Sequence, residues 1–119
     1  MVIELKELKY AELTQSKCKP CEAGVPPLNS EQLQKYREDP VFNWEIVEEK
    51  KIVKDYKFES YAKTIEFVNK VAYLAEDEGH HPVMHVYFNK VSIELWTHAI
   101  DGLSENDFIL AAKIDEIHV

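Results

Sequence analysis

The sequence contains no run of about 18 apolar residues, so no membrane-spanning helix is expected. It lacks an excess of basic charge. Against 22 Asp and Glu stand 14 Lys and Arg, a net charge of -8. That balance disfavours a nucleic-acid partner, because binding a phosphate backbone needs a basic face that releases counterions. It excludes no small heterocyclic ligand. The stretch from Met1 to Tyr10 carries Glu and Lys and has no apolar h-region, so no signal peptide is expected, and a cytoplasmic location follows by default. Cysteine is scarce. Cys18 and Cys21 form a C-x-x-C spacing. A lone pair falls short of the four protein ligands of a structural zinc site, and a thioredoxin-like motif would sit inside a βαβ pattern. Gly24, Pro26 and Pro27 follow instead. The pair therefore reads as structural, part of an ordered loop, with redox and metal chemistry as the alternatives.

What is present is one domain, residues 1–119, with an arm or loop over 1–29. A chain of this length can bury a core without disulfides or metal. Ile3, Leu5, Leu8 and Leu13 suit a short helix or an arm. Ser30 predicts an N-cap for a helix over 31–38 that stops at Asp39-Pro40. Trp44, Ile46 and Val47 begin a strand, 48–51 is the expected turn, and 52–58 a second strand. Ser60 caps the longest predicted helix, over 61–77, whose apolar stripe is Tyr61, Ile65, Val68, Ala72 and Ala75, widened by Val71 and Leu74. Gly79 ends it. Ser104 to Asp107 has capping-box spacing, and a last helix runs to about Ile117. Hairpins alternating with helices predict an α+β fold: a four-stranded antiparallel sheet with helices packed on one face, in the order α-β-β-α-β-β-α.

Four of the five histidines fall between His80 and His98. Alternation of Met84, Val86 and Phe88, then of Val91, Ile93 and Leu95, predicts a hairpin with these six residues on the core face. With Asn89-Lys90 as its loop, Phe88 pairs with Val91, His85 with Glu94, Val83 with Trp96 and His81 with His98. By parity His80 would point with the core, so a shared pocket requires irregular backbone around Pro82.

Glu76, Asp77 and Glu78 close a helix at the end where acids oppose the macrodipole. Glu76 is therefore a candidate functional residue, whereas Asp77 and Glu78 are read as solvated. Metal binding is one reading of the histidines. His81 and His85, however, are about 13 Å apart along a strand at 3.3 Å per residue, and adjacent strand residues face opposite ways. General acid–base work fits better, because imidazole titrates near neutral pH. The plain alternative is that the histidines only cap strand ends. His118 has no motif around it.

Together, Glu76 with His80-His81-Pro82, Tyr87-Phe88-Asn89-Lys90-Val91, Leu95-Trp96-Thr97-His98 and Gly102-Leu103-Ser104-Glu105-Asn106-Asp107 resemble pterin-4a-carbinolamine dehydratase. Residues 18–28 are similar to the entry segment of microbial members. The chain differs from some members at Met84, where they carry an aromatic residue, and at Gly79, where they carry an acid. The resemblance implies a hydro-lyase, a 4a-hydroxytetrahydrobiopterin dehydratase that yields quinonoid dihydropterin and supports pterin recycling with no metal and no organic cofactor. It implies His80, His81 and His98 as catalytic histidines, with His80 the main acid–base group, His98 its complement and His81 orienting the pterin. Glu76, His81, Pro82 and Asp107 would bind substrate or orient imidazoles. It implies a pterin substrate, a homodimer or homotetramer, and no nucleic-acid or membrane partner. The rival functions are a protein-interaction or dimerisation module and a dehydratase of another pterin, such as a molybdopterin-linked species.

Overall fold

The structure, a computed structural model, describes residues 9–20 and 24–119. The expectations for Ile3, Leu5, Leu8 and Cys21 lie outside them. A 3-10 turn, Tyr10–Gln15, precedes α1 (Ser30–Glu38), β1 (Glu45–Val47), β2 (Lys51–Lys57), α2 (Tyr61–Glu78), β3 (Val83–Tyr87), β4 (Lys90–Leu95), a second 3-10 turn (His98–Ile100) and α3 (Glu105–Asp115). The strands form one antiparallel sheet in the order β1-β2-β4-β3. The α+β architecture and element order match the sequence expectation.

Pairing between β2 and β4 puts Ile52, Leu95, Ile93 and Val91 on one face. All four are fully buried. They share the core with Phe67 and Val71 of α2 and with Phe108, Leu110 and Ile114 of α3. Each such side chain contributes roughly 1.5–3 kcal/mol by leaving water. The other face carries Lys51, Val53, Asp55, Val83, His85, Ser92 and Glu94.

Three local expectations are corrected. Asn29, not Ser30, caps α1: its side chain accepts from the Gln32 N–H at 2.9 Å, and the Gln32 amide reciprocates to the Asn29 N–H at 2.8 Å. The buried stripe of α2 is Thr64, Phe67, Val71 and Ala75. Tyr61 and Ala72 face outward instead, because the aromatic ring of Phe67 packs between Tyr56 and Phe58 of the first hairpin and sets the helix rotation.

The second hairpin turns at Phe88-Asn89, two residues out of the expected register. Tyr87 pairs with Lys90, Val86 with Val91, Met84 with Ile93 and Val83 with Glu94. The turn is held from outside. The Asn89 carbonyl accepts from the Phe58 N–H at 2.9 Å, and the Phe88 carbonyl accepts from the Thr64 hydroxyl at 3.0 Å. A shift of two preserves parity, so the face assignment of Val91, Ile93 and Leu95 survives. On the edge strand β3, Val86 is exposed, as is Phe88 in the turn.

The first turn of the described chain docks through one carboxylate. Asp115 accepts from the Tyr10 hydroxyl (2.6 Å), the Trp44 indole (3.2 Å), the Lys54 ammonium (2.8 Å) and the Tyr56 hydroxyl. Burial, then the charge of Asp115, pushes both phenols above their usual range, so they remain neutral donors.

Candidate active site

The end of α2 positions the first two histidines. Gly79 adopts a left-handed conformation (φ 67°), open to glycine without the Cβ penalty. The chain then reverses, and the His80 N–H bonds back to the Ala75 carbonyl at 3.2 Å. His80, His81 and Pro82 lie between α2 and β3, outside both. The strand parity that set His80 against His81 therefore does not apply. His98 lies in the second 3-10 turn rather than on β4. His81 and His98 are thus not a cross-strand pair. They and His80 nevertheless line the same cleft.

Within that cleft His80 is the anchored imidazole. Its Nε2 lies 2.6 Å from Asp107 Oδ1, and the side chains are 12% and 0% exposed. The other oxygen of Asp107 is occupied as well. Oδ2 accepts from the Thr97 hydroxyl at 2.8 Å and from the Ser104 N–H at 2.9 Å. Thr97 is itself pinned, its hydroxyl 2.7 Å from that of Ser104 and its backbone bridged to Gly102. A carboxylate so fully engaged cannot swing away, so His80 is presented in one orientation. Asp107 thereby combines its predicted capping role with that of an imidazole partner.

His81 Nε2 bonds Glu76 Oε1 at 2.9 Å, with both side chains in solvent. The His98 ring packs against Trp96, centroids 4.5 Å apart. The cleft, about 570 Å³, is walled by Glu76, His80, His81, Trp96, Thr97, His98 and the segment Cys18–Pro20. That volume suits a small ligand. A larger groove of about 690 Å³, beside Tyr10, Tyr36 and Val41, contains no histidine. Among the described residues no three of His, Cys, Asp and Glu are grouped as metal ligands would be.

The family model described as Pterin 4 alpha carbinolamine dehydratase matches residues 26–117. The chain belongs to the pterin-4a-carbinolamine dehydratase family. Relatives provisionally named as such dehydratases include one from Rickettsia bellii, 48% identical over 87% of this chain and 91% of that one. Another, from Nitrosomonas europaea, is 46% identical over the same shares. Among solved structures, a transcriptional coactivator/pterin dehydratase from Brucella melitensis superposes with a TM-score of 0.69 at 26% identity, over 75% of this chain and 95% of that one. A pterin dehydratase-like protein, described as a RuBisCO assembly factor in the alpha-carboxysome, gives 0.52 at 27% identity, over 61% and 83%.

Two residues of this family member have roles that the sequence reading missed. Glu78 is not solvated. Its side chain is 3% exposed, and it takes the Lys113 ammonium at 2.8 Å and the Cys18 N–H at 3.0 Å. Burial alone would raise its pKa. The bonds from Lys113 and Cys18 outweigh that and hold it below the ordinary carboxylate value. Asn106, 6% exposed, grips Lys19 from both sides, accepting from its N–H at 2.9 Å and donating to its carbonyl at 2.5 Å. The signal was adjacency: Glu78 and Asn106 sit two residues before His80 and one before Asp107. The Cys18 thiol donates toward the Asn106 carbonyl at 3.5 Å. Burial, then the charge of Glu78, pushes it up to about 12, which keeps it a thiol at neutral pH.

Proposed function

We propose that this protein dehydrates 4a-hydroxytetrahydropterin to quinonoid dihydropterin by proton transfer through histidine, with tetrahydrobiopterin-type substrates the expected class. The observation that carries the reading is the His80–Asp107 pair, an imidazole on a buried, fully engaged carboxylate at the cleft wall. The reaction breaks the bond from C4a to its hydroxyl oxygen and forms a double bond between C4a and N5. The oxygen takes a proton and leaves as water, and N5 gives up its proton. Each transfer needs a group that can hold or release a proton near pH 7, the range in which imidazole works. His80 is the main acid–base group, held in register by Asp107. His98, which lines the same cleft with its ring against Trp96, is its complement. His81 with Glu76, and Pro82 next to them, bind the pterin edge. Proton transfers of this kind are worth about 10²- to 10⁴-fold each.

Self-association is part of the same reading, supported by exposed Tyr73 on α2 and by Tyr87 and Phe88 at the free edge of the sheet. A cytoplasmic setting fits a chain whose described helices are too short or too polar to cross a membrane. An assembly or coactivator role, as named for the two solved relatives, would leave the buried His80–Asp107 pair without a use.

The test is a stopped-flow dehydration assay with 4a-hydroxytetrahydropterin, run with and without chelator. Acceleration that chelator leaves untouched is expected. No acceleration over the spontaneous reaction would favour an interaction module, and loss on chelation would point to a metal.

A further inference from the structure

The segment Cys18–Pro20 follows the first 3-10 turn and walls the cleft that Trp96 and His98 also line. It is fastened at two points. At one, the Cys18 N–H bonds Glu78, whose carboxylate is shut away with Lys113. At the other, the Asn106 side chain makes a paired bond to the Lys19 N–H and carbonyl, the pattern a neighbouring strand would make. A buried ion pair adds little net stability once its desolvation is counted. Spending one on a backbone N–H fixes where that backbone lies. Both fasteners are neighbours in sequence of the anchored histidine pair: Glu78 precedes Gly79-His80, and Asn106 precedes Asp107. The segment and His80 are thus positioned by the same two helix ends, the last turn of α2 and the first of α3.

The three histidines and Glu76 already supply donors and acceptors for the polar edge of a pterin. What the strap adds is different in kind. Pro20 donates nothing from its backbone, and both backbone groups of Lys19 are used by Asn106. Its remaining contribution is the exposed Lys19 side chain at the cleft wall, whose ammonium has three donors and no acceptor, on a cleft also lined by Glu76, Asp77 and Glu78.

We propose that the strap Cys18–Pro20 is the wall that receives the substituent on the pterin ring, with Lys19 the specificity-determining residue for a substituent bearing acceptor oxygens. This rests on the dehydratase reading above. Lys19 touches the substituent, and Asn106 is a positioning residue that acts through Lys19.

The experiment measures kcat and KM of wild type, Lys19→Ala, Asn106→Ala and Asn106→Asp on two 4a-hydroxytetrahydropterins, one with a 6-dihydroxypropyl and one with a 6-methyl substituent. Lys19 is exposed, so its truncation leaves the fold intact. Lys19→Ala is expected to raise KM several-fold for the dihydroxypropyl substrate, with kcat within twofold and the methyl substrate unaffected. Asn106→Ala should do the same. Asn106→Asp, which keeps the acceptor for the Lys19 N–H, should recover part of the loss. Equal KM changes on both substrates, or none with Lys19→Ala, would overturn the strap proposal while leaving the dehydratase intact. A wild type inactive on both substrates would overturn the function instead.

Discussion

His80 with Asp107 and His85 with Glu94 are both imidazole–carboxylate pairs, 2.6 Å and 2.5 Å long, on opposite sides of the molecule. Length does not separate them. Surroundings do. Asp107 is sealed, engaged by Thr97 and Ser104 as well, and its histidine is 12% exposed at a cleft wall. Glu94 lies on the open face of the sheet, shared with Lys51 at 2.5 Å, and His85 is half exposed. One imidazole has a fixed direction and a cavity to point into. The other is half exposed on the sheet, beside a carboxylate that is 17% exposed, and lines neither of the two clefts described above. The pair at His81 and Glu76 is at the cleft but is the most solvated of the three. What separates the two pairs is the complete burial of Asp107 and the cleft beside His80, not the length of the imidazole contact.

The sharpest way to break the comparison is to truncate each histidine. His80→Ala should lower kcat by roughly 10²- to 10⁴-fold, as befits a group that carries a proton, with circular dichroism and oligomer size unchanged. Next in size is Asp107→Asn. Here the orienting partner is lost but the imidazole remains, and turnover should fall about 10- to 100-fold. Because the amide side cannot accept, a neighbouring donor goes unpaired, at a cost of about 1–3 kcal/mol in denaturant unfolding.

Smaller effects come from groups outside the His80–Asp107 pair. The Glu78 carboxylate is held below its ordinary 4.5 by Lys113 and the Cys18 N–H, against the cost of burial. A depressed carboxylate stabilises the fold above that value and gives the stability up as pH falls through its folded pKa. Thermal melts of wild type should therefore lose stability below about pH 4.5, and Glu78→Gln, weaker at pH 7, should lose less over the same range. Alkylation probes the wall of the His80 cleft. Cys18, pushed up to about 12, should react with iodoacetamide at pH 8 far more slowly than a free thiol, as read by peptide mapping. The smallest effect is at His85→Ala, an exposed ion-pair change worth less than about 1 kcal/mol and neutral for turnover.

Much of this was legible in the sequence because periodicity and capping are local. The period of two on either side of Asn89 placed Val91, Ile93 and Leu95 in the core, and Ser60 and Ser104 marked helix starts. What failed was non-local. The turn register was decided by Thr64 and Phe58 from other elements, which no hairpin rule sees. Phe67 fixed the rotation of α2 through contacts with Tyr56 and Phe58. At the site, His80, His81, His98, Glu76 and Asp107 were named in advance, and the structure gives His80 with Asp107 and His81 with Glu76 as bonded pairs. The expected pairing of His81 with His98 did not form, because the chain leaves strand geometry at Pro82 and again at His98. Glu78 and Asn106 escaped notice because their partners, Cys18, Lys19 and Lys113, are 35 or more positions away.

Single-turnover dehydration rates for His80→Ala and His85→Ala, measured side by side at pH 7 on 4a-hydroxytetrahydropterin, separate the two pairs most directly. The expected result is a His85→Ala rate equal to wild type and a His80→Ala rate at least about a hundredfold lower. Equal rates for the two variants would contradict it.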